Sequence, residues 1–140
     1  MTAPIQITIH TTVAAPVSKV WGHWITPDSI TQWNAALDTW HCPRATNDLR
    51  VGGSFSARME AKDGSFGFDF AGTYTEVDEP SLIAYVMEDD RKVVITFESV
   101  TGGTKVSESF DAEDTNSAEM QRTGWQAILD RFKAFVEAQP

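Results

Sequence analysis

The chain has 140 residues and a formal net charge of −9 at pH 7, from 11 Lys and Arg against 20 Asp and Glu. That length suits one domain spanning residues 1–140 with a sizeable core. The acid excess argues against a nucleic-acid surface, which needs clustered Lys and Arg, and no stretch approaches the roughly 20 consecutive apolar residues of a membrane helix.

The N-terminal Met1-Thr2-Ala3-Pro4 has neither the basic start nor the apolar run of a signal peptide, so a cytoplasmic location is expected. Ile5, Ile7 and Ile9 alternate with Gln6, Thr8 and His10, the period of a half-buried strand. Pro16 then opens a short helix through about Trp24, with Val17, Val20, Trp21 and Trp24 at helical spacing. A second short helix begins after Pro27-Asp28 and carries Ile30 and Trp33. The segment Leu37–Pro43 reads as an irregular second strand.

From Ser54 the pattern alternates. Phe55, Ala57, Met59 and Ala61 share one face, and Phe66, Phe68, Phe70, Gly72 and Tyr74 share another. Asp63-Gly64 between the two runs signals a hairpin, because Gly accepts the positive φ of a tight turn. Further strands are predicted at Leu82–Glu88, Lys92–Val100 and Thr104–Ala112, with turns at Glu88-Asp89-Asp90 and Gly102-Gly103. Such spacing predicts an antiparallel meander with one face on the core. The period then changes. Trp125, Ile128, Leu129, Phe132, Phe135 and Val136 form a helical stripe, and a helix from about Ser117 to Ala138 would run ~30 Å, enough to cross the sheet.

Several pieces, in order, resemble the bacterial single-domain homologues of the C-terminal domain of the heat-shock-protein-90 ATPase activator. They are Pro16-x-x-x-Val20-Trp21, Ile30-x-x-Trp33, Asp48-Leu49-Arg50-Val51-Gly52-Gly53, Gly72-x-Tyr74-x-Glu76-Val77, Gly103-Thr104-x-Val106 and Gly124-Trp125-x-x-x-Leu129. These homologues belong to the START and birch-allergen-like superfamily. The resemblance implies an α+β helix-grip fold: a curved antiparallel sheet around a long C-terminal helix, with two short helices after the first strand. It also implies a cavity between sheet and helix for lipid-like, aromatic or polyketide-like molecules. Carriers, cyclases, hydratases and co-chaperones share that scaffold, so the fold alone does not select an activity. Members often carry a second Trp directly after the first in the second helix; here that position is Asn34, which makes the pocket mouth more polar.

Among residues able to carry chemistry, Glu108 shares its alternation with Thr104, Val106 and Phe110, the face that the resemblance turns inward. A carboxyl there needs a partner or a raised pKa, since desolvation disfavours its charge. It reads either as a ligand-orienting group or general acid/base, or as a solvated or paired residue near the sheet end. His41, beside Trp40 near the pocket mouth, reads as a titratable group or as a structural hydrogen-bonding residue. Cys42 is the single cysteine and makes no internal disulfide; with His10, His23 and His41 it shows no metal-ligand spacing, so no metal is expected. The Asp48–Gly53 stretch lacks the phosphate-loop pattern and reads as a sharp turn with Asp48 and Arg50 paired.

The expected apolar lining comprises Phe55, Met59, Phe68, Phe70, Tyr85, Phe97, Trp125, Ile128 and Phe132, with Trp33 and Trp40 at the rim. Ala57, Ala61 and Gly72 are the small inward residues that hint at unfilled space. Three functions compete. The first is binding of a small hydrophobic molecule in a cavity of at least ~300 Å³. The second is an enzyme of the cyclase or hydratase type that uses Glu108 with His41 or Tyr85. The third is a co-chaperone-like interaction module, which the lack of the activator's additional N-terminal domain argues against. No catalytic triad order, paired metal ligands or nucleotide fingerprint is present, so no cofactor is expected and binding ranks first. Exposed strand edges could template a homodimer.

Overall fold

The computed structural model describes residues 5–140, so the N-terminal tetrapeptide behind the cytoplasmic expectation lies outside the described residues. The alternating segments form an antiparallel sheet. In chain order the elements are β1 (Gln6–Val13), α1 (Val17–Ile25), α2 (Pro27–Trp33), β2 (Trp40–His41), β3 (Ala45–Asn47), β4 (Ser54–Ala61), β5 (Gly67–Asp78), β6 (Leu82–Met87), β7 (Lys92–Val100), β8 (Gly103–Asp111) and α3 (Ala118–Glu137). The strand order is β1-β8-β7-β6-β5-β4-β2, and β3 also pairs with β4. The sheet curls around α3, the α+β helix-grip architecture implied by the resemblance.

Each turn has a local cause. Gly52, Gly64 and Gly102 all adopt positive φ, where a β-carbon would be strained. In the Asp48–Gly53 turn a β-carbon on Gly53 would sit 2.1 Å from the Asp48 carbonyl oxygen. There the Arg50 Nε donates to both Asp48 carboxylate oxygens at 3.0 Å. The Ser117 hydroxyl accepts from the Met120 N–H at 3.1 Å and caps α3.

Cross-strand register builds the inner face. Glu108 on β8 lies between Ile9 on β1 and Ile95 on β7, and Ile95 in turn faces Ile83 on β6. Under this face, α3 buries Leu129, Phe132 and Val136 completely or nearly so. Phe132 meets the rings of Trp24 and Trp33, each with centroids 4.9 Å away, which binds α1, α2 and α3 into one aromatic cluster. Burying a side chain of this size contributes about 1.5–3 kcal/mol.

The sheet edge at β1 is covered. Arg122 and Gln126 on α3 donate to the carbonyls of Thr8 and His10 at 2.9 and 3.3 Å. Two outward backbone acceptors are thereby occupied, which weakens the case for dimerisation through this edge. The irregular second strand is reduced to two residues, Trp40 and His41, and β3 forms where no alternation announced it. Ile5 lies outside β1 and is exposed, so the inward alternation starts at Ile7. Among the described residues no helix is long and apolar enough to cross a membrane.

Candidate functional site

Between the inner face of β4–β6 and β8, the underside of α3 and the short α2 lies a pocket of about 200 Å³. Its position follows from side-chain size. Ala57 places a methyl where its neighbours Phe55 and Met59 place large groups, and α3 crosses above at Trp125 and Ile128. The walls are aromatic: Trp24, Trp33, Phe55, Phe68, Phe70, Tyr74, Tyr85 and Trp125. Phe55 meets Tyr85 edge to face at 4.6 Å, and Trp125 stacks on Phe110 at 3.9 Å.

Polar groups are few. Glu108 lines the pocket at 6% exposure, and among the described residues nothing forms a hydrogen bond or ion pair with its carboxyl group. Burial pushes its pKa up to about 8, because removing water penalises the charged form. The phenol of Tyr85 is pushed well above its ordinary value, first by burial and then by the nearby Glu108 carboxylate. Tyr74 is also pushed up by burial; its hydroxyl donates to Asn47 Oδ1 at 2.5 Å. The amide of Asn47 donates to the Ile25 carbonyl at 2.7 Å, so one relay ties β5, β3 and the α1 end together at the pocket rim.

The structure brings together nine of the expected lining residues: Trp33, Phe55, Met59, Phe68, Phe70, Tyr85, Glu108, Trp125 and Ile128. Four others lie elsewhere. Phe97 is on the inner face, but it packs beneath α1 against Trp21 and Trp24 at 5.2 and 5.8 Å, in the filled part of the core. Trp40 turns to Phe66 and Phe68 at the end of the β4–β5 hairpin. His41 is exposed and lies 3.8 Å from Glu60, so it is not the partner of Glu108. Phe132, also expected in the lining, is wholly buried among Trp24 and Trp33 and does not reach the pocket.

Further corrections concern space. The pocket, at about 200 Å³, is smaller than the ~300 Å³ expected. Gly72 marks no void: a β-carbon there would lie 2.9 Å from Phe55 and 3.0 Å from Tyr85. Phe66, at 63% exposure, lies before β5 and outside its alternation, whereas Phe68, 43% exposed, pairs with Met59 and keeps the inward face at the pocket. Asn34 lines the pocket, in keeping with the polar mouth that the resemblance implied, whereas the lining residues Trp24, Ile30, Thr46, Ser56, Tyr74 and Ile83 were not among the candidates. Thr46 sits in a three-residue strand where periodicity carries no signal, whereas Tyr74 was visible in the alternation of β5.

Cys42 is buried, donates to the Arg44 carbonyl at 3.4 Å, and has its thiol pKa pushed up by burial, the opposite of an activated nucleophile. Among the described residues, no three His, Cys, Asp or Glu side chains cluster as metal ligands would.

The family model described as "Activator of Hsp90 ATPase homolog 1-like protein" matches residues 14–137. A solution structure of an AHSA1-like protein from Aeromonas hydrophila is 47% identical, covers 96% of this chain and 93% of its own, and superposes with a TM-score of 0.90. A solution structure from Cytophaga hutchinsonii is 48% identical over 94% of this chain and 92% of its own, with a TM-score of 0.82. A crystal structure from Chromobacterium violaceum is 25% identical over 97% of this chain and 100% of its own, with a TM-score of 0.87. No curated protein matches the chain.

Proposed function

The chain belongs to the activator of Hsp90 ATPase homolog 1-like family, and on that premise we propose that it binds a small aromatic molecule in the pocket between sheet and α3. The observation that carries this reading is the pocket itself: aromatic walls around about 200 Å³, with the Glu108 carboxyl unpartnered inside. Ligand sites have this composition, apolar surface with a few placed polar groups. An apolar cavity of about 150 Å³ accommodates a benzene, so this pocket suits one ring with a short substituent. Aromatic side chains also exclude water around such a guest, which favours its transfer from solvent.

An enzyme working through Glu108 and His41 is not supported, since His41 lies at the surface beside Glu60. Tyr85 remains close to Glu108, and the two groups together can orient a guest.

The test is a titration of isotope-labelled protein with 2-phenylethanol, followed by NMR, alongside native mass spectrometry of protein purified from cells. Saturable shifts at the indoles of Trp33 and Trp125 are expected. Ala57→Leu, which fills the pocket, should abolish them while the fold persists. Absence of saturable shifts in the native chain, with no molecule retained from cells, would remove this reading.

A further inference from the structure

We propose that the occupant of this pocket is a small organic cation, an aromatic ring bearing an ammonium group that pairs with the Glu108 carboxylate. The inference rests on the reading of the pocket as a ligand site and adds the chemical class of the ligand.

Three observations point the same way. The first is Glu108 itself, 6% exposed, in the pocket lining, with no partner among the described residues. No Lys, Arg or His lines the pocket, so charge on Glu108 has to be answered by the occupant. The second is the wall. Trp24, Trp33, Phe55, Phe70 and Trp125 present ring surface to the same space, and aromatic enclosures of this kind attract ammonium groups through the ring quadrupole.

The third is the surface beside the pocket. A broader groove shares Phe68, Phe70 and Trp125 with the pocket and carries Asp69, Glu88, Asp89 and Glu113. Its one basic residue, Arg91, is held by Asp89 at 2.7 Å, and Asp69 is met by Arg58 at 3.4 Å, which leaves Glu88 and Glu113 without a cationic partner among the described residues. With a chain charge of −9, the field at this side draws cations inward and repels anions.

Magnitudes decide between a cation and a neutral guest. With a pKa of about 8, Glu108 is roughly one-tenth ionised at pH 7, so ionising it weakens cation binding about tenfold at that pH. A hydrogen bond to a charged group strengthens binding about ten- to a hundredfold. A desolvated cation–π contact adds on the order of another tenfold or more. These gains exceed what the ionisation removes, and the surplus is set against the ammonium group's own loss of water. An anionic guest would meet the carboxylate with no counter-charge in the lining.

No Lys, Arg, His or second carboxyl group lines the pocket beside Glu108. Ile9 and Ile95 flank it across the strands, and Trp125 and Ile128 face the pocket from α3. Burial first keeps Tyr85 and Tyr74, the other titratable groups in the lining, neutral; Tyr85 also feels the Glu108 carboxylate and, most weakly, the Arg91 guanidinium.

The experiment compares 2-phenylethylamine, 2-phenylethanol and phenylacetate by calorimetry at pH 6, 7 and 8. At pH 8 the amine should bind at least tenfold tighter than the alcohol, and phenylacetate should bind weakest. The amine's affinity should also rise more than tenfold from pH 6 to pH 8 as Glu108 ionises, while the alcohol's does not. In Glu108→Gln the amine's advantage should vanish and alcohol binding persist. Equal binding of amine and alcohol, or an amine affinity indifferent to both pH and Glu108→Gln, overturns the cation proposal and leaves the pocket reading standing. If none of the three probes binds, both fall. The pH series on the native chain decides the matter even if the variant does not fold.

Discussion

Trp125 on α3 lies flat against Phe110 on β8, with ring centroids 3.9 Å apart and planes 9° from parallel. Phe110 is wholly buried and follows Glu108 by two residues, so the stack fixes the helix directly beside the pocket carboxyl. Trp125 also meets Phe70 on β5 in an edge-to-face arrangement, with ring centroids 5.9 Å apart. One indole thus joins helix, sheet and pocket wall.

Trp125→Ala should destabilise the fold by about 3 kcal/mol, near the lower end for deleting large aromatic side chains because Trp125 is only partly buried. Urea unfolding measures this. The same variant should join the pocket to the neighbouring groove, so ligand affinity should fall by more than the stability loss alone explains. An unchanged unfolding midpoint would show that the stack contributes nothing.

Gly72→Ala tests close packing on the opposite wall. The new β-carbon would meet Phe55, Tyr85 and the Val86 carbonyl at 2.9–3.0 Å. The rings can shift, but the backbone oxygen of the adjacent strand moves only with the sheet. A loss of about 1–3 kcal/mol is expected, the usual range for overpacking. Thermal melts of both proteins check it, and a neutral outcome would mean that Phe55 and Tyr85 have free space behind them.

These two residues also show how far the sequence could be read. The inward placement of Glu108 and the stripe from Trp125 to Val136 follow from period 2 and period 3.6, which depend only on backbone geometry. Which inward residues border empty space is a different quantity. It depends on where α1, α2 and α3 lie over the sheet. Phe97 and Phe132 share the inner surface with Tyr85 and Trp125, yet they are covered by α1 and α2 aromatics. Gly72 looked like a gap because alternation shows a missing side chain but not the neighbouring rings that occupy its place. Trp40 and His41 could not be placed because a two-residue strand carries no period.

Tyr74→Phe removes the donor to Asn47 Oδ1 and leaves that oxygen part-buried and unpaired. Loss of about 1–2 kcal/mol is expected, since an unsatisfied buried acceptor keeps its desolvation cost. Because Asn47 also holds the Ile25 carbonyl, amide exchange should quicken in β3 and at the end of α1 while β7 and β8 stay protected. Exchange that rises uniformly would place the effect in global stability and not in the rim.

Glu108 makes stability depend on pH in a direction opposite to that of a paired carboxylate. Its folded pKa of about 8 lies above the ordinary 4.5. Below pH 4.5 the group is protonated folded and unfolded, and it has no effect on the balance. Between 4.5 and 8 the unfolded chain releases the proton and the folded chain keeps it, so stability declines by about 1.4 kcal/mol per pH unit. Above pH 8 both states are ionised and the decline stops. Glu108→Gln keeps the shape without the titration. Relative to this variant, the native chain should lose on the order of 3 kcal/mol between pH 5 and pH 8, read from urea unfolding at each pH. Bound 2-phenylethylamine should diminish the loss, because its ammonium group stabilises the ionised carboxylate that the empty pocket penalises. Parallel pH curves for the native chain and the Gln variant would mean that the carboxyl is solvated in the folded state, which would also remove the ground for a cation in the pocket.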